Sequence, residues 1–190
     1  MIRNNLLATL LCISALTAFA SDSTAERDAS TSTRPLETIP ALDVARYMGT
    51  WHEIAKYPNW FQKECSENVK ADYSLMNDGC VRVVNRCQTT EGTLSEAIGE
   101  ARQIGASTSP KLEVRFAPAW LSFLPFVWGD YWVIELDDDY QLVAVSEPNR
   151  DYLWILSRTP EVDPVSYNAL LTRLQRQGFD LQRMEATKQD

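Results

Sequence analysis

The chain is short of the residues on which many enzymes and nucleic-acid-binding proteins depend. It contains one histidine, His52, which argues against a multi-histidine metal site and against a Ser-His-Asp triad. Acidic residues outnumber basic ones by 26 to 18, and the net charge of −8 argues against binding to nucleic acid or electrostatic docking on anionic lipid. No stretch after residue 20 is long enough and uncharged enough to span a membrane. These absences leave binding of an apolar molecule open.

The N-terminus has the organisation of a signal peptide. Arg3 precedes an apolar run over residues 6–20, which ends in an Ala-Phe-Ala cleavage site. Cys12 lies in mid-run behind a leucine, a poor match to lipoprotein processing, so we expect an exported chain without a lipid anchor. The predicted division is a signal peptide at 1–20, a disordered linker at 21–40, a folded domain at 41–185 and a tail at 186–190.

Alternation of apolar and polar residues predicts eight β-strands with short connections. The predicted strands cover residues 49–57, 69–75, 81–87, 93–104, 111–117, 130–136, 140–146 and 151–158. A helix follows, with Asp163 as its cap, Pro164 in its first turn and Gly178 at its end. We therefore predict an all-β protein, an eight-stranded antiparallel up-and-down β-barrel with a C-terminal α-helix packed outside. Eight strands close into a barrel wide enough for one small ligand.

The first predicted strand places its largest side chain next to a glycine. Taking every second residue puts Gly49, Trp51, Glu53, Ala55 and Tyr57 on one face, with His52 on the other. Gly49 lets another group come close, and the Trp51 indole is large enough to plug a cavity.

Three cysteines remain after removal of the predicted signal peptide. Asn-Asp-Gly at 77–79 predicts a hairpin turn, and pairing Val69 with Val83 across that hairpin also places Cys65 opposite Cys87. In an oxidising compartment this predicts a Cys65–Cys87 disulfide and leaves Cys80 as a free thiol, inert or available for pairing between chains.

The segment at 118–129 is strongly apolar and interrupted by prolines. It is too short to span a membrane, and its prolines oppose a long helix or strand. An apolar segment of this size must pack against another part of the protein, a ligand or a partner. Three interpretations remain open: a loop folded over the barrel's own core, a lip of a ligand site, or an interaction patch such as a homodimer face.

Three short motifs, taken together, resemble those of the lipocalin family. They are Gly49-x-Trp51, the Asp151-Tyr152 pair within Asn-Arg-Asp-Tyr, and Arg158 in Ser-Arg-Thr-Pro. The longer run at 150–160 is similar to bacterial Blc-type lipocalins, which are similar to apolipoprotein D and to plant temperature-induced lipocalins. The resemblance covers roughly residues 41–185.

The resemblance implies that Arg158 lies across the Trp51 indole at the closed end of the barrel. Such a contact contributes about 0.5–2 kcal/mol. Glu53 shares the face of Trp51, so we expect it to point inward and pair with that arginine. We thus assign Gly49, Trp51, Glu53 and Arg158 to barrel closure. The resemblance also implies a periplasmic protein that contacts the outer membrane peripherally, although the convincing lipoprotein signal usual for the Blc type is missing.

For function, the resemblance implies an apolar small-molecule partner, a fatty acid or lysophospholipid carried or stored during envelope maintenance or stress. Strand parity and loop position select the candidate ligand contacts: Tyr73, Val83, Phe116, Tyr131 and Trp154 on the wall, and Trp60, Trp120, Phe123 and Trp128 at the mouth. The alternatives are a tetrapyrrole or carotenoid carrier, or an enzyme whose nucleophile is Cys80 with Arg82 nearby. No cofactor is predicted. No metal site is predicted either, because the aspartates at 137–139 lack EF-hand spacing.

Overall fold

Nine strands form one sheet in the computed structural model, which describes residues 34–189. The strands are β1 (Gly49–Lys56), β2 (Cys65–Leu75), β3 (Val81–Thr89), β4 (Leu94–Gln103), β5 (Lys111–Arg115), β6 (Gly129–Leu136), β7 (Leu142–Ser146), β8 (Leu153–Ser157) and β9 (Glu185–Ala186). The helices are α1 (Val44–Tyr47) and α2 (Pro164–Arg176). The predicted signal peptide and residues 21–33 of the predicted linker lie outside the described residues.

The sheet closes into a barrel. Strands β1 to β8 each pair antiparallel with the next strand in the chain, and β8 returns to pair with β1. The two-residue strand β9 pairs antiparallel with Ala55 and Lys56, beyond the part of β1 that pairs with β2. The predicted eight-stranded up-and-down barrel with a C-terminal helix is therefore confirmed, with one additional strand.

The register of the β2–β3 hairpin differs from the predicted one. The turn lies at the predicted Asn-Asp-Gly, where Gly79 has a φ of +85° that a glycine adopts without strain. Tyr73, and not Val69, lies opposite Val83. The pairing is thus displaced by four residues along β2, because the strands run together right up to the turn.

The predicted disulfide is confirmed even though its register was wrong. Irregularities in β2 before Lys70 shift the pairing, so that Cys65 lies opposite Thr89. Cys87 is the diagonal neighbour of Cys65, and their Cα atoms are 5.5 Å apart and bridged by a disulfide. Diagonal neighbours on one face remain within reach of each other.

A β-bulge divides strand β1 between the two faces of the barrel wall. The register against β8 shifts between Glu53 and Ala55. Trp51 consequently belongs to the core inside the barrel, whereas Ala55 and Tyr57 belong to the core outside it. The single face predicted for residues 49–57 is wrong beyond Glu53, because the extra residue reverses the alternation.

The outer core lies between the barrel wall and α2. Leu170 and Leu174 of α2 are fully buried in it, together with Ile155 of β8. Each such leucine contributes about 1.5–3 kcal/mol by leaving water. At the start of α2 the Asp163 side chain accepts from the Ser166 N–H at 2.8 Å, and the helix ends before Gly178, as predicted.

Both ends of the described chain are tied to the barrel. Leu36 is buried in the outer core, and the Ile39 N–H donates to the Val133 carbonyl at 3.2 Å. At the other end a 3-10 turn at 181–183 is followed by the short strand β9, which pairs with β1. Strand β5 ends at Arg115, two residues before its predicted end. Within residues 34–189, no helix combines the length and apolar character needed to cross a membrane.

Candidate ligand-binding site

The barrel surrounds a cavity of about 880 Å³. This volume lies within the range of about 300–1,000 Å³ that is usual for small-molecule sites. Most of its lining is apolar and comes from the inward-facing positions of the strands: Val69, Ala71, Val81, Ala101, Leu112, Val114 and Leu156. These residues share the parity of the predicted wall residues, so the alternation pattern already contained their signal.

Most of the predicted ligand contacts line this cavity. Those that do are Tyr73, Val83, Phe116, Tyr131 and Trp154 on the wall, with Trp60 and Trp128 at the mouth. Trp120 and Phe123 are not part of the lining, and they are 73% and 75% exposed. Their loop at 116–128 folds outward at these two positions.

One wall aromatic depends on a glycine in the neighbouring strand. The Phe116 ring lies against Gly99 of β4, where an added Cβ would approach Phe116 Cδ1 and the Arg115 carbonyl oxygen to 2.7 Å. Any larger residue at Gly99 would therefore displace the ring. The absence of a side chain at Gly99 thus gives Phe116 its place in the cavity wall.

The mouth of the cavity is surrounded by aromatic side chains from two loops. The exposed ones are Trp60, Phe61, Trp120, Phe123 and Phe126, which we call the mouth aromatics. Trp128 is anchored more firmly, since its indole N–H donates to the Ser122 carbonyl at 2.8 Å and Arg102 lies 4.0 Å from its ring centre. The mouth is thus apolar and exposed, with a fixed tryptophan at its base.

At the opposite end the Arg158 guanidinium lies 3.9 Å from the centre of the Trp51 ring. It donates to the carbonyl oxygens of Arg46 at 2.9 Å, Thr50 at 3.0 Å and Tyr140 at 3.2 Å. Gly49 has a φ of +99°, and a Cβ there would lie 3.2 Å from Arg158 Nη1. Arg158 therefore links α1, β1 and the turn after β6 at the closed end.

Glu53 points inward as predicted, but it does not pair with Arg158. Its carboxylate, 2% exposed, accepts from Lys56 Nζ at 3.1 Å, Gln62 Nε2 at 2.8 Å and Thr187 Oγ1 at 2.6 Å. The bulge after Glu53 explains the difference, because it turns Lys56 to the same side of the strand. The buried charge is thereby compensated near the mouth and not at the closed end.

Three tyrosines form a hydrogen-bonded group where the cavity meets the closed end: Tyr47 and Tyr73 are buried, and Tyr131 is partly buried. The hydroxyls of Tyr47 and Tyr131 are 2.8 Å apart, and those of Tyr73 and Tyr131 are 3.1 Å apart. All three line the cavity, and we call them the tyrosine cluster. Sequence reasoning missed Tyr47 because it lies on α1, outside the strand alternation.

Burial determines the ionisation of the tyrosine cluster. Loss of water raises the pKa of Tyr47 and Tyr131 well above the usual value, and it raises the pKa of Tyr73 to about 12. The three phenols are therefore neutral at physiological pH.

The environment of Cys80 does not favour a reactive thiolate. Burial, followed by the carboxylates of Asp78 and Glu100, raises the pKa of the Cys80 thiol. The cationic assistance expected from Arg82 is not among these effects, and Arg82 is exposed. Among residues 34–189, no three His, Cys, Asp or Glu side chains are grouped as metal ligands.

A closed antiparallel barrel around an apolar cavity is the architecture of proteins that hold one small molecule. Residues 42–189 match the family model described as the lipocalin-like domain. The chain belongs to the lipocalin family.

Relatives in this family come from plants, bacteria and animals. The chain is 37% identical to temperature-induced lipocalin-1 of Arabidopsis thaliana, over 84% of this chain and 86% of the relative. It is 38% identical to the outer membrane lipoprotein Blc of Escherichia coli K12, over 80% of this chain and 82% of Blc. It is 35% identical to mouse apolipoprotein D, over 78% of this chain and 77% of the relative.

Solved structures support the fold. Apocrustacyanin C1 superposes with a TM-score of 0.62 at 15% identity, covering 78% of this chain and 80% of that one. Insecticyanin from the tobacco hornworm Manduca sexta gives a TM-score of 0.60 at 17% identity, covering 82% and 83%. At these identities the likeness concerns the barrel alone.

Proposed function

We propose that the protein binds a fatty acid or lysophospholipid in its barrel, for storage or transport during envelope maintenance or stress. The observation that carries this proposal is the apolar cavity of about 880 Å³, entered between aromatic loops. Family membership and the similarity to the Blc lipoproteins support a hydrophobic ligand. The chain acts in the periplasm after export in this proposal.

The wall residues give the cavity its affinity for an acyl chain. Val83, Phe116 and Trp154 present apolar surface along its length. Each methylene group that leaves water contributes about 0.8 kcal/mol before the entropy of binding is subtracted. The headgroup of the lipid remains at the mouth, beside the largely buried Lys56–Glu53 pair and the mouth aromatics.

Titration with lysophospholipid and with a fatty acid, followed by tryptophan fluorescence, tests this proposal. We expect saturable quenching at micromolar lipid, since Trp128 and Trp154 line the cavity. Ala101→Phe fills the lumen from a buried lining position and should weaken binding at least tenfold, whereas Val165→Phe, on the exposed face of α2, should leave it unchanged. Absence of any saturable response would overturn the proposal, and a visible absorption band in the purified protein would replace lipid by a pigment.

The mouth aromatics suit contact with a lipid surface while the ligand exchanges. Because the net charge is −8, such contact depends on insertion of apolar side chains and not on attraction to anionic lipid. We expect the protein to co-sediment with vesicles of neutral phosphatidylcholine, and Trp120→Ala with Phe123→Ala to release it. Leu75→Ala removes an exposed apolar residue near the closed end and serves as the matched control. A concentration-dependent dimer that both mouth substitutions dissociate, without vesicle binding, would assign this surface to a second copy.

A further inference from the structure

The tyrosine cluster has one more hydroxyl proton than it uses. Three phenols carry three protons, and the two hydrogen bonds among them use two, whichever way each bond points. No other acceptor among residues 34–189 takes the third proton. One donor in the cluster therefore remains for a group that enters the cavity.

The position of the cluster fixes which part of a ligand it meets. Tyr47 belongs to α1 at the closed end, and its ring lies 5.0 Å from that of Trp51 and 5.7 Å from that of Tyr73. Tyr73 itself pairs with Gly49 at the start of β1. A ligand that enters through the mouth reaches these hydroxyls with its far end.

The surroundings favour an uncharged partner over an anion. The Arg158 guanidinium lies across Trp51 and already donates to three backbone carbonyls. A carboxylate at the cluster would be buried, and within residues 34–189 no cation is bound to these hydroxyls, so its burial is unfavourable. A carbonyl or hydroxyl oxygen requires only the one donor that the cluster offers.

We infer that the closed end of the cavity binds an uncharged oxygen acceptor at the far end of an apolar ligand, through the hydroxyls of Tyr47, Tyr73 and Tyr131. This rests on the proposed function, and it narrows the ligand to a class. The preferred occupant is an acyl chain or other apolar skeleton with a carbonyl, ester or hydroxyl oxygen near the end that enters first. A saturated chain that ends in a methyl group leaves the spare donor without an acceptor.

A matched pair of probes tests the inference. One is a long-chain methyl ketone, and the other is the alkene in which a methylene group replaces the carbonyl oxygen. We expect the ketone to bind roughly three- to tenfold more tightly than the alkene, because one net hydrogen bond increases affinity by about that factor. Displacement of a fluorescent lipid measures both affinities. Infrared spectra of ketone labelled at the carbonyl carbon should show its stretching band shifted to lower frequency, as in a hydrogen-bonded carbonyl.

The proton count dictates which variant removes the effect. Replacing only Tyr47 or only Tyr73 by Phe removes one proton and one bond, so a spare donor persists and the ketone preference should survive. The triple variant Tyr47→Phe, Tyr73→Phe, Tyr131→Phe should bring the ratio to about one and return the carbonyl band to its position in hydrocarbon solvent. This variant keeps the packing, because apolar groups of the same shape replace both partners of each bond. Tyr167→Phe, which removes a phenol of α2 outside the barrel, is the matched control and should change neither readout.

The outcomes separate this inference from the proposed function. Equal affinity for both probes in the unmodified protein, or an unshifted carbonyl band, would overturn the inference while leaving the lipid-binding proposal intact. A band that stays shifted in the triple variant would place the hydrogen bond elsewhere and overturn it too. If neither probe nor any lipid binds saturably, the proposed function falls and the inference falls with it. An unshifted infrared band in the unmodified protein overturns the inference even if the triple variant does not fold.

Discussion

At the scale of single residues, Arg158 makes contacts that a lysine cannot reproduce. Its planar guanidinium lies over the Trp51 indole and directs hydrogen bonds to three carbonyl oxygens of separate segments. A lysine ammonium carries a charge of the same sign but lacks the fork of donors and the flat face. The closed end therefore depends on the shape of this residue as well as on its charge.

Arg158→Lys is expected to lower the free energy of unfolding by about 2 kcal/mol, through loss of the ring contact and of at least one charge-assisted hydrogen bond. Urea denaturation followed by circular dichroism measures the change. Arg82→Lys, at an exposed position on β3, is the control and should stay within about 0.5 kcal/mol of the unmodified protein. An equal loss in both variants would contradict the assignment of Arg158 to closure.

Glu53 shows what residue patterns can and cannot predict. Alternation correctly placed its side chain inside the barrel, where it lines the cavity two residues after Trp51. The partner was wrong, because Lys56 and Thr187 reach the carboxylate only through a bulge and a returning C-terminal segment. Neither feature leaves a periodic trace in the sequence.

At the scale of elements, hairpin β2–β3 gives a correct disulfide from an incorrect register. Cysteines two positions apart in register share a face and remain neighbours, so the prediction tolerated the error. The turn residues at 77–79 located the hairpin because Asn, Asp and Gly adopt turn conformations at low cost. The register depends on how close to the turn the two strands begin to pair, and the turn residues alone do not determine this.

Removing the disulfide should weaken the barrel at its mouth. The bridge closes a segment with a sequence separation of 22 residues, for which chain entropy provides about 3 kcal/mol. We expect Cys65→Ala with Cys87→Ala to lower the free energy of unfolding by about that amount, measured by urea denaturation. Cys80→Ala removes a thiol outside the bridge and should have a much smaller effect. A double variant as stable as this control would show that the bridge contributes little.

At the scale of the whole molecule, the barrel was predictable because each of its hairpins is local. Alternation, turn residues and the cap at Asp163 identified all eight barrel strands and the helix. The side chains that line the cavity and surround its mouth were less predictable. Tyr47 joins Tyr73 and Tyr131 only when α1 folds across the barrel end, so no spacing in the sequence connects these three residues. The orientation of Trp120 and Phe123 likewise depends on how the long loop folds.

The tyrosine cluster also predicts how the whole fold responds to alkali. Burial raises the pKa of these phenols, that of Tyr73 to about 12, whereas an unfolded tyrosine ionises near pH 10. The stability that they contribute is therefore complete below about pH 10 and is lost as the pH rises towards 12, because the unfolded chain releases protons that the native protein retains. Each tyrosine lowers the free energy of unfolding by up to about 1.4 kcal/mol per pH unit in this window. Urea midpoints at about pH 9 and pH 11 should fall steeply in the unmodified protein and less in the triple Tyr→Phe variant, and equal falls in both would contradict a buried, neutral cluster.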